Sequence, residues 1–241
     1  MAKPPKVSVV IPARNEAGSV GGVVEALRQP KVVTEVIVVD NNSDDDTADV
    51  ARHAGAKVIH CTEIGYGHAV KAGLRAARNN WILKCDADMS NAKPNWVTGL
   101  LDAIKPNTWM VKSFWTEGED PLPVTNLTAK PAISRMFPKL LSLEAPLSGV
   151  YLFDLSRYAI DPLVNTYGLD LQLIVETDRN NGGIEQVNIG TMVHKIRGIS
   201  HDANIAREVM DYAIDAFGAD PKDRLLVVMA HADDPILWSA H

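Results

Sequence analysis

The chain has 241 residues, enough to bury a full core, and its apolar (46%) and charged (22%) fractions are ordinary for a globular protein in water. A formal charge of −6 argues against broad binding to nucleic acid or to an anionic membrane surface. Two cysteines, Cys61 and Cys85, exclude a disulfide framework or a cysteine-rich zinc cluster, and no run approaches a membrane span or a signal peptide, so a soluble, cytoplasmic protein is expected.

Val7-Ser8-Val9-Val10-Ile11 is short and rich in β-branched residues, the pattern of a buried strand, which Pro12 should end. A helix is expected from about Ala17 to Gln29, with Val20, Val23, Val24 and Leu27 as its apolar stripe. Glu35 to Asp40 is the second strand. It runs into Asp40-Asn41-Asn42-Ser43-Asp44-Asp45-Asp46-Thr47, a loop crowded with helix N-cap residues. A short helix to Ala54 closes on Gly55, and Lys57 to His60 is a third strand. A glycine-bearing loop, residues 63–68, then leads into a helix with Val70, Leu74 and Ala77 on one side and Lys71 away from it.

Trp81-Ile82-Leu83-Lys84-Cys85-Asp86-Ala87-Asp88 is an apolar run ending in two carboxylates one residue apart. On a strand such a pair shares a side, and at its end the two can face one site suited to a hard divalent cation. A solvated acidic turn is the ordinary alternative for so short a motif. Strands alternating with helices at this spacing predict an α/β, doubly wound, mostly parallel sheet. Ligands of such sheets sit outside the carboxyl ends of the strands. The loops at 12–16, 40–47, 63–68 and 86–91 converge there, which points to a nucleotide-type ligand.

The second half is less regular. Helices are expected at Pro94 to Ile104, Leu169 to Arg179 and Ala203 to Phe217, and strands at Trp109 to Phe114 and Val150 to Phe153. Glu185 to Ile196 reads as a β segment carrying His194, after a turn at Asn181-Gly182-Gly183. Residues 116–146, with five prolines, should wrap the site rather than extend the sheet. The last twenty or so residues have mixed signals.

Val7 to Glu16 resembles the opening strand and loop of GT-A glycosyltransferases, Val38 to Thr47 their second loop, and Asp86-Ala87-Asp88 their metal motif. Val124-Thr125-Asn126-Leu127-Thr128-Ala129-Lys130-Pro131, Phe137-Pro138, Pro146-Leu147-Ser148-Gly149, Tyr167-Gly168-Leu169-Asp170 and Gln186 to Gly190 followed by His194 are similar to the glucosyl- and mannosyl-3-phosphoglycerate synthases. The resemblance runs from about residue 7 to about 197. It implies a GT-A fold and a retaining hexosyltransferase that uses a nucleotide-diphosphate sugar, UDP-glucose favoured, with Mn²⁺ or Mg²⁺. It also implies one domain over 1–241, donor-binding to about residue 115 and acceptor-binding beyond, and a homodimer as a family-level expectation. The chain departs from the family at Pro123, where an arginine holds the acceptor phosphate, at Tyr66, where the glycine loop carries a lysine, and at Val150, where an acidic residue is usual.

The resemblance assigns Asp88 and His194 as metal ligands, and an imidazole beside a carboxylate suits Mn²⁺ or Mg²⁺. His194 has a hydrogen-bonded strand histidine as its alternative, and Asp86 a cap for the turn at Asn91. On the donor side it places Pro12, Ala13, Asn15, Glu16, Asp40, Asn42, Gly65, Tyr66, Gly67, Lys71, Asp86 and Ala87. Asp40 and Asn42 can equally serve as Asx-turn caps, Tyr66 as a surface aromatic and Lys71 as a solvated helix charge. Asp170, Ser148 and Gly149 form the catalytic set, with Asp170 holding sugar hydroxyls or serving as a helix-start carboxylate. Thr125, Asn126 and Leu147 face the acceptor, an unidentified hydroxyl compound: a glycerate-like acid, a modified nucleobase in DNA or a protein hydroxyl. A nucleotidyltransferase or a non-catalytic nucleotide-sugar binder are the competing classes.

Overall fold

Strand β1 (Val7–Ala13) is buried along its whole length, and its side chains alternate between two layers. Val7, Val9 and Ile11 enter one core; Val10 enters the other. The computed structural model describes residues 4–116, 123–195 and 197–218. In it β1 is joined by β2 (Val33–Asp40), β3 (Lys57–His60), β4 (Trp81–Cys85), β5 (Thr108–Phe114), β6 (Val150–Asp154) and β7 (Gly183–Asn188). They form one sheet in the order β3-β2-β1-β4-β6-β5-β7. All pairings are parallel except those of β6, which runs against β4 and β5. The mostly parallel, α/β expectation therefore holds, with one reversed strand.

Helices α1 (Val20–Leu27), α2 (Thr47–His53) and α4 (Pro94–Asp102) cover one face. The expected stripe of α1, Val20, Val23, Val24 and Leu27, packs there with Trp96, Val97 and Leu100 of α4. Helices α3 (Tyr66–Ala76), α5 (Lys130–Met136), α6 (Gly168–Arg179) and α7 (Ile199–Phe217) cover the other, contributing Val70 and Leu74, Ile133, a run from Leu169 to Val175, and Val209.

Several boundaries differ from the sequence reading; α7, for one, starts at Ile199 and not at Ala203. Pro12 does not end β1: it pairs with Val39 of β2, while the pairing to β4 stops at Val10, so its missing N–H is spared a partner on that side. The loop before α3 is shorter, because Tyr66 and Gly67 already belong to the helix behind Gly65 (φ 147°). Strand β7 stops at Asn188 and the chain turns at Gly190 (φ 86°), so His194 lies beyond the strand. Within 116–146 the described residues include a π turn, Thr125–Ala129, running into α5, and a 3₁₀ turn, Pro138–Leu140. The unplaced C-terminal segment lies outside the described residues. No helix among the described residues is long and apolar enough to cross a membrane.

Candidate functional site

The carboxyl ends of β1, β2, β3 and β4 and the entry to β6 share one edge, and a cleft of about 1030 Å³ opens over it. Its first wall is the 12–16 loop. Asn15, in the left-handed region (φ 57°), accepts from Asp44 N–H at 2.8 Å through Oδ1, and its own N–H donates to Ser43 Oγ at 3.0 Å. This ties the first loop to the second. Asn41 ties the second to the third: its amide donates to Cys61 O (3.1 Å) and Glu63 O (2.7 Å) and accepts from Gly65 N–H (3.0 Å).

The floor is Asp86-Ala87-Asp88. Lys84, fully buried one turn of pleat earlier, donates to Asp86 Oδ1 and lies 3.7 Å from Asp170 Oδ2. Burial disfavours its charge, but Asp170 and Asp86 outweigh burial and hold the ammonium above its ordinary pKa. Burial raises the Asp86 pKa, Lys84 opposes that, and Asp88 and Asp170 reinforce it. Asp170 opens α6 and also accepts from Tyr66 Oη (3.0 and 2.9 Å) and Tyr151 Oη (2.6 Å). Burial, then Asp170, pushes both phenols well above their ordinary pKa, so they remain donors. Tyr66 stacks on Tyr167 with centroids 4.5 Å apart.

A second wall is the 147–149 loop. Asp86 N–H donates to Gly149 O at 3.1 Å, and a Cβ on Gly149 would stand 1.8 Å from Asp86 Oδ2, so a larger residue there must displace the Asp86 carboxylate or the loop. Behind it Lys112 (1% exposed) donates to Ser148 O at 3.0 Å and sits 4.1 Å over the Tyr151 ring. Burial pulls the Lys112 pKa down to about 7.

Asp88 and His194 line this cleft together and also share a side pocket of about 280 Å³. Arg197 holds a guanidinium against Glu16 and 3.4 Å from Asp88 Oδ2, so a positive group is already stabilised where these carboxylates meet. Among the described residues no group of three or more His, Cys, Asp or Glu is gathered to hold a metal. A carboxylate and an imidazole nonetheless fit a divalent cation whose remaining positions go to ligand oxygens and water.

Most of the residues expected from sequence meet in the cleft: Pro12, Ala13, Asn15, Glu16, Gly65, Tyr66, Asp86, Ala87, Asp88, Thr125, Leu147, Gly149, Asp170 and His194. Six do not line it. Asp40 is turned to Ser43 N–H and His60 Nδ1. Asn42 donates to Cys61 O and Thr62 O, and Asn41 takes the cleft position instead. Gly67 is pressed against the backbone of Val164 and Asn165, where a Cβ would come within 2.4 Å of Val164 O. Lys71 is buried and holds the 161–165 segment through Asp161 O, Leu163 O and Asn165 Oδ1. Asn126 faces solvent on the π turn, and Ser148 is buried behind the wall. Sequence reasoning missed Asn41, Lys84, Lys112, Tyr151 and Arg197. The available signal was a lysine inside each of two apolar strands, a residue seldom fully buried without a partner.

The profile of glycosyl transferase family 2 matches residues 8–137. Glucosyl-3-phosphoglycerate synthase of Mycolicibacterium smegmatis is 31% identical over 95% of this chain and 83% of that protein. The enzyme of the same name from Petrotoga mobilis is 27% identical over 78% of this chain and 66% of that protein. Among solved structures, glucosyl-3-phosphoglycerate synthase of Mycobacterium tuberculosis in complex with Mn²⁺, UDP-glucose and phosphoglyceric acid superposes with a TM-score of 0.85 at 27% identity, covering 91% of this chain and 82% of that one. The same enzyme with Mn²⁺, UDP and glucosyl-3-phosphoglycerate gives 0.84. Profile, sequence and superposition agree: the chain belongs to glycosyl transferase family 2 and is a glycosyltransferase of the GT-A fold.

Proposed function

We propose that the chain transfers glucose from UDP-glucose to a hydroxyl of a small glycerate-type acid, with retention of configuration and with Mn²⁺ at Asp88 and His194. The observation that carries the reading is that Asp86, Asp88, His194 and Asp170 line one cleft. The relatives bound to Mn²⁺ and UDP-glucose support the donor. The whole chain then acts as one domain, with the donor held by residues up to about 115 and the acceptor by those beyond.

The chain's own residues account for most of the chemistry. Pro12, Ala13, Asn15 and Asn41 border the nucleoside. Asp86, paired with Lys84, faces the ribose and diphosphate side. A divalent metal, when bound, neutralises charge on the departing diphosphate. Asp170 accepts from sugar hydroxyls while two phenols and Lys84 fix its orientation. With two phenols donating to it and the Lys84 ammonium 3.7 Å away, this carboxylate is a weak nucleophile, which favours entry of the acceptor on the departing face over a glycosyl-enzyme. Leu147 and the Gly149 backbone border the acceptor.

Phosphoglycerate is the first acceptor to test, because relatives across most of this chain carry that name. A second reading, an acceptor without phosphate, is favoured by Pro123 on the cleft wall. Incubation with UDP-glucose, Mn²⁺ and either 3-phosphoglycerate or glycerate, followed by NMR of the product, tests both. An α-glucoside of one acid is expected. A β-glucoside would refute retention, and release of UDP with no glucoside of either acid would refute the acceptor class.

A further inference from the structure

Asn91 lies outside every role given so far, yet it makes the junction on which His194 depends. The chain leaves β7, turns at Gly190 and comes back across the end of β4. There the Asn91 amide takes both backbone polarities of the returning segment: its Nδ2 donates to Thr191 O at 2.8 Å, and its Oδ1 accepts from Val193 N–H at 2.9 Å. Ser90 adds two bonds to one carbonyl, its N–H (3.0 Å) and Oγ (3.1 Å) both donating to Val193 O. Met192 between them is buried in the core. The turn that follows Asp88 thus grips the three residues before His194.

We propose that Asn91 is the positioning residue of the metal site: its side chain substitutes for a strand partner and fixes His194 beside Asp88. The inference rests on the metal assignment made above. An amide suits the task because it donates and accepts in one plane, as a peptide group does. A group that orients a ligand contributes to metal affinity without touching the ion.

The test is the Mn²⁺ dissociation constant in the presence of UDP, measured by electron paramagnetic resonance of free Mn²⁺. The proteins are the unaltered chain, Asn91→Leu, Asn91→Gln, His194→Ala and the Asn91→Leu/His194→Ala double variant. Asn91→Leu is expected to weaken Mn²⁺ roughly 10–100-fold. Asn91→Gln, which keeps the amide one methylene away, should fall between, and it serves where Asn91→Leu does not fold. The double variant should bind Mn²⁺ no more weakly than His194→Ala, because both changes remove the same ligand. Unaltered Mn²⁺ affinity in the Asn91 variants, with His194→Ala weak, overturns the role of Asn91 and leaves the metal site standing. A lowered melting temperature without that loss of affinity has the same meaning. Unaltered affinity in His194→Ala overturns the metal assignment itself.

Discussion

The Tyr66 phenol donates to both carboxylate oxygens of Asp170, at 3.0 and 2.9 Å, across 104 positions of sequence. It joins the first turn of α3 to the first turn of α6 over the floor of the cleft. Tyr66→Phe keeps the stack on Tyr167 and removes only these bonds. A loss of about 1–3 kcal/mol in unfolding free energy is expected, the cost of a carboxylate that loses one of its buried partners. Urea unfolding measures it. A change within the noise would mean that water takes the place of the phenol.

Lys84 is fully buried between Asp86 and Asp170. Lys84→Met leaves two acidic groups facing each other without a counter-charge. Removing one partner of a buried ionic group costs about 3–5 kcal/mol. UDP binding, followed by calorimetry, should weaken together with stability. A Lys84→Met protein as stable as the parent would show that the two carboxylates protonate at no cost.

Lys112 supplies a pH dependence. Burial brings its pKa down to about 7, against about 10.4 in an unfolded chain. Between those values the unfolded state binds the extra proton, so stability should rise with pH from about 7 to about 10 and level off below 7, where both states are protonated. Lys112→Met should flatten this slope, read from urea midpoints at pH 7.5, 8.5 and 9.5. An unchanged slope would assign it to other groups.

Gly149→Ala places a Cβ where Asp86 Oδ2 stands, at 1.8 Å. Either the 147–149 loop or Asp86 must move by more than an ångström. A misplacement of that size is expected to lower kcat/KM at least about 100-fold. Circular dichroism separates this from unfolding. An active Gly149→Ala enzyme would show that the 147–149 loop slides freely over Asp86.

Much of this architecture was legible in local pattern. The β-branched runs at Val7 and Val36, and the stripe Val20-Val23-Val24-Leu27, bury where expected because burial of apolar faces is what forms those elements. The cleft followed from the rule that loops at the carboxyl edge meet. The misjudged residues are those whose side chains answer to distant backbone. Lys71 looked like a solvated helix charge, but three acceptors in 161–165 lie around 90 positions away. Asp40 and Asn42 are spent on capping their own loop and the start of the next. Lys84 and Lys112 carried no assignment, since no window of sequence shows that Asp170 and Ser148 come to meet them.

The grip of Ser90 on Val193 spans 103 positions, and that span has a consequence for synthesis. At the usual pace of translation, Asp86 and Asp88 leave the ribosome on the order of 5–20 s before His194, which lines the same cleft. For the first part of that interval, until β6 has been made, β4 lacks that neighbour, and its edge is open to any strand nearby. Chaperone dependence of the newly made chain should accordingly concentrate in the stretch between Asp88 and Val150, and slow codons there would lengthen the exposure.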